Sequence, residues 1–246
     1  MKKKLIELSA DQIYSRLVDD DKILEQEGRI KFYFGNVNIV VKQRDVVGNV
    51  IQEWLQGWFD KNHVLYATNP NTQMPPDFFM VPSDKKKGQL EVKAFNRGGN
   101  PGFDIADFRM YAEELIEKPY TLDVDYLIFG YNMDEDTGVV TVRDLWLKKV
   151  WEITRPMAGW PINLQVKANV VHKIRPGVWY SEKKGIPMFK TMTDFLSAFE
   201  QTVWQNPKTR EASGLWREKF LQSYKKHYGK TLDIPRWQDI KDSYYD

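Results

Sequence analysis

The most regular apolar pattern in the chain runs from Val46 to Phe59. Val46, Val47, Val50, Ile51, Trp54, Leu55, Trp58 and Phe59 recur as i, i+1, i+4 and i+5, which makes a broad stripe along one side of an α-helix. Asp45 stands where that helix needs a cap. A first helix is predicted over Ser9 to Gln26, with Ser9 or Asp11 as its cap and Ile13, Leu17 and Ile23 on its apolar side. Between the two, Ile30, Phe32 and Phe34 alternate with polar residues, Gly35 and Asn36 turn the chain, and Val37 to Val41 returns, which predicts a hairpin over Arg29 to Val41. His63 to Ala67 predicts a short strand.

The pattern changes at Pro75. Residues Pro75 to Val81 and Gln89 to Phe95 are two short runs rich in β-formers, separated by a polar break that includes Asp84, Lys85, Lys86, Lys87 and Gly88. They predict a β-hairpin. On its second strand Glu91 and Lys93 share one face while Leu90, Val92 and Ala94 point to the other. If the hairpin is symmetric about Asp84, paired residue numbers sum to 168, and Asp77 lies directly across from Glu91. A slip of one residue would separate the two acids.

Downstream, Asn96 to Gly102 reads as a loop at the end of that strand. Asp104 is placed to cap a helix carrying Ile105, Phe108, Ala112, Leu115 and Ile116 on the side that packs against the sheet. Val124 to Tyr131 has the continuous apolar character of a central strand, and Thr137 and Gly138 turn the chain into a further strand over Val139 to Leu147. The fold class predicted is α/β: a mixed five-stranded sheet flanked by helices, followed by a β-rich and helical C-terminal subdomain. From Lys148 the texture shifts. Trp151, Trp160 and Trp179 sit among prolines and glycines around a strand-like run from Asn163 to Ile174, and two helices, Thr193 to Gln205 and Ala212 to Tyr228, close the chain. The segmentation expected is 1–44 for an N-terminal helix and hairpin, 45–147 for the core, and 148–246 for the C-terminal subdomain.

Composition narrows the chemistry. A chain of 246 residues with 42% hydrophobic and 28% charged residues is ordinary for a globular protein. The absence of cysteine excludes disulfides and thiolate metal sites and fits a reducing compartment. Lys2 to Lys4 are followed too soon by Glu7, Asp11 and Gln12 for a secretory leader, and no run approaches the ~20 apolar residues of a membrane span. A soluble, cytoplasmic protein is expected. The formal net charge is only +2, so contact with a polyanion has to come from local patches such as Lys85 to Lys87, Lys148 and Lys149, or Lys225 and Lys226. His63, His172 and His227 do not fall at zinc-site spacing, and neither a Walker loop, a dinucleotide fingerprint nor Gly-x-Ser-x-Gly is present.

What remains is carboxylate, lysine and a hard cation. Two carboxylates held across a strand pair repel unless a positive group lies between them, and Mg²⁺ is the ion most often held by one or two carboxylates beside phosphate oxygens. Pro76 and Asp77, followed by Glu91, Val92 and Lys93 on the next strand, resemble the PD-(D/E)XK nuclease signature. The order of elements, helix, strand, then a hairpin with acid, acid and lysine, also resembles that superfamily, over roughly Asp45 to Leu147. The resemblance implies that Asp77, Glu91 and the carbonyl of Val92 hold Mg²⁺, that Lys93 orients or deprotonates the attacking water, and that Glu53, on the preceding helix, supplies a further acid. Chain length and the long C-terminal segment resemble a type II restriction endonuclease, a homodimer cutting double-stranded DNA at a short palindrome. Gly102 to Phe108, Leu164 to Lys167 and Val171 to Pro176 are similar to the NgoBV and NlaIV group of such enzymes. DNA contacts are then expected from Arg97 and Asn100 in the loop, and from Gln165, Lys167, Asn169, His172, Lys173 and Arg175 in the C-terminal subdomain. Three other readings stay open here: a repair or junction-cleaving nuclease with the same centre, a DNA-binding module that cuts nothing, and an unrelated globular protein with a chance motif, in which Asp77 and Glu91 would lie apart on the surface.

Overall fold

The protein is described from a computed structural model covering residues 4–71, 75–168, 170–181 and 185–245. In chain order its helices are α1 (Ala10–Ser15), α2 (Val47–Lys61), α3 (Phe108–Glu117), α4 (Val150–Ile153), α5 (Met192–Gln205), α6 (Arg210–Tyr228) and α7 (Trp237–Ile240). Its strands are β1 (Glu27–Arg29), β2 (Lys31–Phe34), β3 (Val37–Val40), β4 (Ala67–Thr68), β5 (Phe78–Phe79), β6 (Gln89–Asn96), β7 (Ala106–Asp107), β8 (Asp125–Met133), β9 (Val139–Lys148), β10 (Leu164–Lys167) and β11 (Val170–Ile174). They form two compact units that interleave along the chain: one runs up to Pro101 and resumes over Asp125–Lys148, the other holds Gly102–Val124 and everything from Lys149 onward.

The first unit is built on a six-stranded sheet in the order β1-β9-β8-β6-β5-β4. Five strands were expected. The sixth is β1, whose Glu27, Gly28 and Arg29 pair antiparallel with Thr141, Val140 and Val139. Three exposed residues without apolar alternation give no strand signal of their own, so only pairing to a neighbour defines this edge. The strands β6 and β8 run parallel and the other pairs antiparallel. A parallel pair needs a long crossover, and residues 97–124 supply it. The helix α2 turns Val47, Ile51, Leu55, Trp58 and Phe59 inward, into a core cluster that also holds Leu90, Val92, Leu127 and Phe129. Its stripe is narrower than the sequence implied, because Trp54 is 42% exposed and meets Phe129 edge-on. Asp45 is not its cap: a 3₁₀ turn over Arg44–Val46 leads straight into the helix, and Val46 holds the cap position without a side-chain bond. The helix α1 does have its predicted cap, with Ser9 and Gln12 exchanging side-chain-to-backbone bonds. The predicted hairpin appears as β2 and β3, a separate two-stranded sheet with Gly35 at φ 57° in its turn.

In the second unit a small sheet, β10-β11-β7, accompanies the helices. Phe108, Tyr111, Phe195, Phe199, Trp216 and Phe220 form an aromatic core, and the indole N–H of Trp216 donates to the carbonyl of Ala112 at 2.9 Å. Three sequence expectations change here. Helix α3 starts at Phe108, capped by Asp107, whose carboxylate accepts from Met110 N–H at 3.1 Å; Asp104 pairs with Arg175 instead. That helix belongs to this unit and packs beside α6, where the sequence had placed it on the first unit's sheet. The run from Asn163 to Ile174 is two strands rather than one, reversed near Ala168 at φ 47°. Helix α6 ends at Gly229 in the left-handed conformation, as its sequence predicted. Among the described residues, no helix is long and apolar enough to cross a membrane.

Candidate active site

The candidate acids and lysine lie on the hairpin β5–β6, and its register decides whether they meet. Phe78 pairs with Leu90 and Phe79 with Gln89, so paired numbers sum to 168, the register that places Asp77, just before β5, on the Glu91 side of the hairpin. Neighbouring groups fix Asp77 from behind. Asn69 donates its side-chain amide to the Pro76 carbonyl at 2.9 Å, and its backbone N–H donates to the Asp77 carbonyl at 3.0 Å. With its backbone held, the Asp77 carboxylate accepts from the Val92 N–H through Oδ2 at 2.8 Å and from the Gln52 amide through Oδ1 at 2.8 Å. Each oxygen keeps a lone pair to offer elsewhere.

Glu91 is buried, with 4% of its surface exposed. Lys93, two residues on along the same face, places Nζ 2.6 Å from Glu91 Oε1. The second oxygen, Oε2, is buried and has no hydrogen-bond partner among the described residues. A buried, unsatisfied carboxylate oxygen costs free energy unless a cation or donor reaches it. Burial pushes the Glu91 carboxyl up to about 7, and the neighbouring Asp77 charge pushes the same way, against the downward pull of Lys93. Asp77 is also raised, by burial first, while the Val92 N–H, Lys93 and Gln52 hold it down.

Two acids raised by burial, Glu91 also by the charge of Asp77, and one of them with an orphaned oxygen, fit a hard divalent cation. Their donors are all oxygen, which suits Mg²⁺ rather than a metal that prefers nitrogen or sulfur. Among the described residues no cluster of three or more His, Cys, Asp or Glu is present. Two carboxylates suffice for an ion that keeps several waters.

The structure brings together Asp77, Glu91, Val92 and Lys93. Glu53 is exposed on α2, and Gln52, one residue earlier, reaches Asp77. Successive helix residues point about 100° apart, so the two leave different sides of α2. Sequence reasoning missed Gln52 because its contact depends on how α2 lies over the sheet. Its position at the edge of the buried stripe, next to Ile51, was the available signal.

Arg97, in the turn just after β6, donates to Asp144 Oδ2 at 2.6 Å and lies over the rings of Trp146 and Phe95, at 5.5 and 5.9 Å. Gly130 makes room for that stack, since a Cβ there would come within 2.7 Å of Arg97 and 2.9 Å of Trp146. Asn100 is exposed.

In the second unit, Gln165 faces Lys173 across the β10–β11 pair, and the register shifts between Gln165 and Val166, leaving His172 as the extra, exposed residue of a bulge. Lys167 is exposed, Lys173 lies 3.7 Å from Asp107, and Arg175 is paired with Asp104. Asn169 lies outside the described residues.

A parallel-centred mixed sheet presenting acid, acid and lysine at one hairpin is the frame of a nuclease, and comparison with known proteins gives the family. Residues 7–244 match the family model described as NgoBV restriction endonuclease, and the chain belongs to that family. It is 60% identical over 241 residues to the type II restriction enzyme NlaIV of Neisseria lactamica, covering 98% of this chain and 99% of that protein. It is 53% identical over 163 residues to the type II restriction enzyme NgoBV of Neisseria gonorrhoeae, covering 66% of this chain and 92% of that protein. The solved structure of NlaIV restriction endonuclease superposes with a TM-score of 0.95 at 59% identity, covering 98% of each chain.

Proposed function

We propose that this chain is a type II restriction endonuclease that cuts both strands of duplex DNA at a short palindromic sequence, acting in the cytoplasm as a homodimer with Mg²⁺. The observation that carries this reading is the convergence of Asp77, Glu91 and Lys93 on one hairpin face, with Glu91 Oε2 buried and unsatisfied. The names of its relatives support the same reaction class. Asp77, Glu91 and the Val92 carbonyl are the proposed ligands. When bound, the ion supplies charge neutralisation at the scissile phosphate and Lewis acidity toward water.

The chain's own groups do the rest. Lys93, held by Glu91, keeps an ammonium beside the reacting phosphate and orients the attacking water. Gln52 and the Val92 N–H fix the Asp77 carboxylate, so that its free lone pairs face the ion. Glu53 is exposed, and the geometry supports Gln52 over it as the α2 residue serving the site. Arg97, Asn100, Gln165, Lys167, Asn169, His172, Lys173 and Arg175 are the proposed DNA contacts. A two-fold protein matches a two-fold DNA site, one subunit to each strand.

The direct test is a Mg²⁺-dependent digest of a large DNA of known sequence. Discrete fragments sharing one terminal sequence are expected. A smear would assign the chain to non-specific or repair-type cleavage, and binding without cutting would make it a recognition module only.

A further inference from the structure

We infer that the β2–β3 hairpin is the seam along which two copies of this chain join, an assignment that rests on the homodimer reading above. The hairpin stands as its own two-stranded sheet. The pairs Phe32–Ile39 and Phe34–Val37 put four apolar side chains on one face, and these are 55%, 52%, 78% and 65% exposed, respectively. The rings of Phe32 and Phe34 stack at 6.4 Å and 7°. Tyr33, on the opposite face, is 66% exposed.

Such a face is costly to leave in water. An isolated two-stranded hairpin is marginal without a third strand or a packed surface, and exposed edge strands are ordinarily blunted by charge or proline. Here no charged residue and no proline occurs from Phe32 to Val41, in a chain that is 28% charged. The base is anchored, because Val41 N–H donates to the Ile30 carbonyl at 2.8 Å and Ile30 packs on the core of the first unit. What lacks cover is the outer part of the hairpin.

The chemistry selects the occupant. A nucleic-acid backbone would be met by basic side chains, and the hairpin's outer part has none. A second copy needs no complementary charge, because a two-fold axis sets the same apolar patch against itself. At about 200 Å² for a large ring, the four side chains leave roughly 450 Å² open per copy, so about 900 Å² over two. With the backbone of the two facing strands added, this approaches the ~1,000 Å² at which specific interfaces begin.

The test is the oligomeric state of the full chain. By equilibrium sedimentation the unaltered protein is expected at twice the chain's 29.0 kDa. The double variant Phe34→Glu with Ile39→Glu is expected at the single-chain mass, its dimer dissociation constant raised at least ~100-fold and its circular dichroism unchanged. A variant that stays dimeric overturns the seam and leaves the homodimer reading standing, whether or not it loses DNA affinity; such a loss would show the hairpin to be a DNA contact. An unaltered protein that is monomeric with and without DNA overturns both. Because the chain has no cysteine, single Val37→Cys and Ile39→Cys variants, both on the apolar face, give a second measurement of the same seam. Oxidation should link two copies at one of these positions, and the absence of any linked dimer from either would also overturn the seam.

Discussion

The two units hold their polar groups in opposite ways. In the first, Glu91 is almost wholly buried, one of its oxygens is unpaired, and Asp77 and Lys93 are fixed around it. In the second, Lys167 and His172 are exposed on a bulged two-stranded ribbon, and Lys173 and Arg175 are half-buried beside acids. Burial raises the stakes of each charge and shifts pKa values, as a reacting centre requires. Exposure leaves donors and acceptors free to be read by a groove, as recognition requires. Under the function proposed above, the contrast corresponds to a division of labour in which the first unit would perform the chemistry and the second would supply most of the contacts that select where it happens.

The largest effect that would break this division comes from the first unit. Replacing Asp77 or Lys93 with Ala should lower the cleavage rate by ~10³-fold or more, the scale of removing several kcal/mol of transition-state stabilisation, while duplex binding measured by gel shift stays within a few-fold. A variant that keeps its cleavage rate would remove the proposed centre. Substitutions in the second unit should show the reverse. Gln165→Ala or His172→Ala should weaken binding of the cognate duplex by roughly 5- to 150-fold, corresponding to about 1–3 kcal/mol per lost base contact, with single-turnover cleavage at saturating protein little changed. Lys167→Ala should weaken all duplexes alike and flatten the salt dependence of binding, a slope read by titration at several ionic strengths.

Gln52 offers a finer test. Gln52→Leu removes the amide donor to Asp77 and should cost about 10–100-fold in activity or in the Mg²⁺ concentration needed for it, whereas Glu53→Ala should change either by less than about twofold. Equal losses in the two variants would mean that α2 does not act through Asp77.

The smallest expected effect concerns pH. With its carboxyl raised to about 7, Glu91 carries a proton below that value, so Mg²⁺ binding should release a proton there. Affinity should then fall by up to about tenfold per pH unit below 7, and level off above it, in a calorimetric titration. The sign for stability follows from the same shift. Because the folded value exceeds the unfolded one, this group's contribution to the metal-free fold is complete below the ordinary carboxylate range and is lost as pH rises through about 7. Glu91→Gln should therefore raise Tm by a few degrees at pH 8 and leave it nearly unchanged at pH 4.

Much of this was legible in the sequence, because its signals are local. Alternation and the polar break defined the hairpin from Pro75 to Phe95, and symmetry about Asp84 set its register, the one now seen in Phe78–Leu90 and Phe79–Gln89. Apolar period and turn residues likewise specified β8, β9 and the end of α6, since backbone preference and burial act there within one or two turns. Only the tertiary structure could decide what depends on distant partners. The edge strand β1 has no pattern of its own, α3 belongs to the unit of α6, whose Trp216 indole donates to the Ala112 carbonyl of α3, and Gln52 reaches Asp77 because of how α2 lies against β6. A sequence states which side chains share a face; which face meets which is settled by packing across segments that the chain's local pattern does not encode.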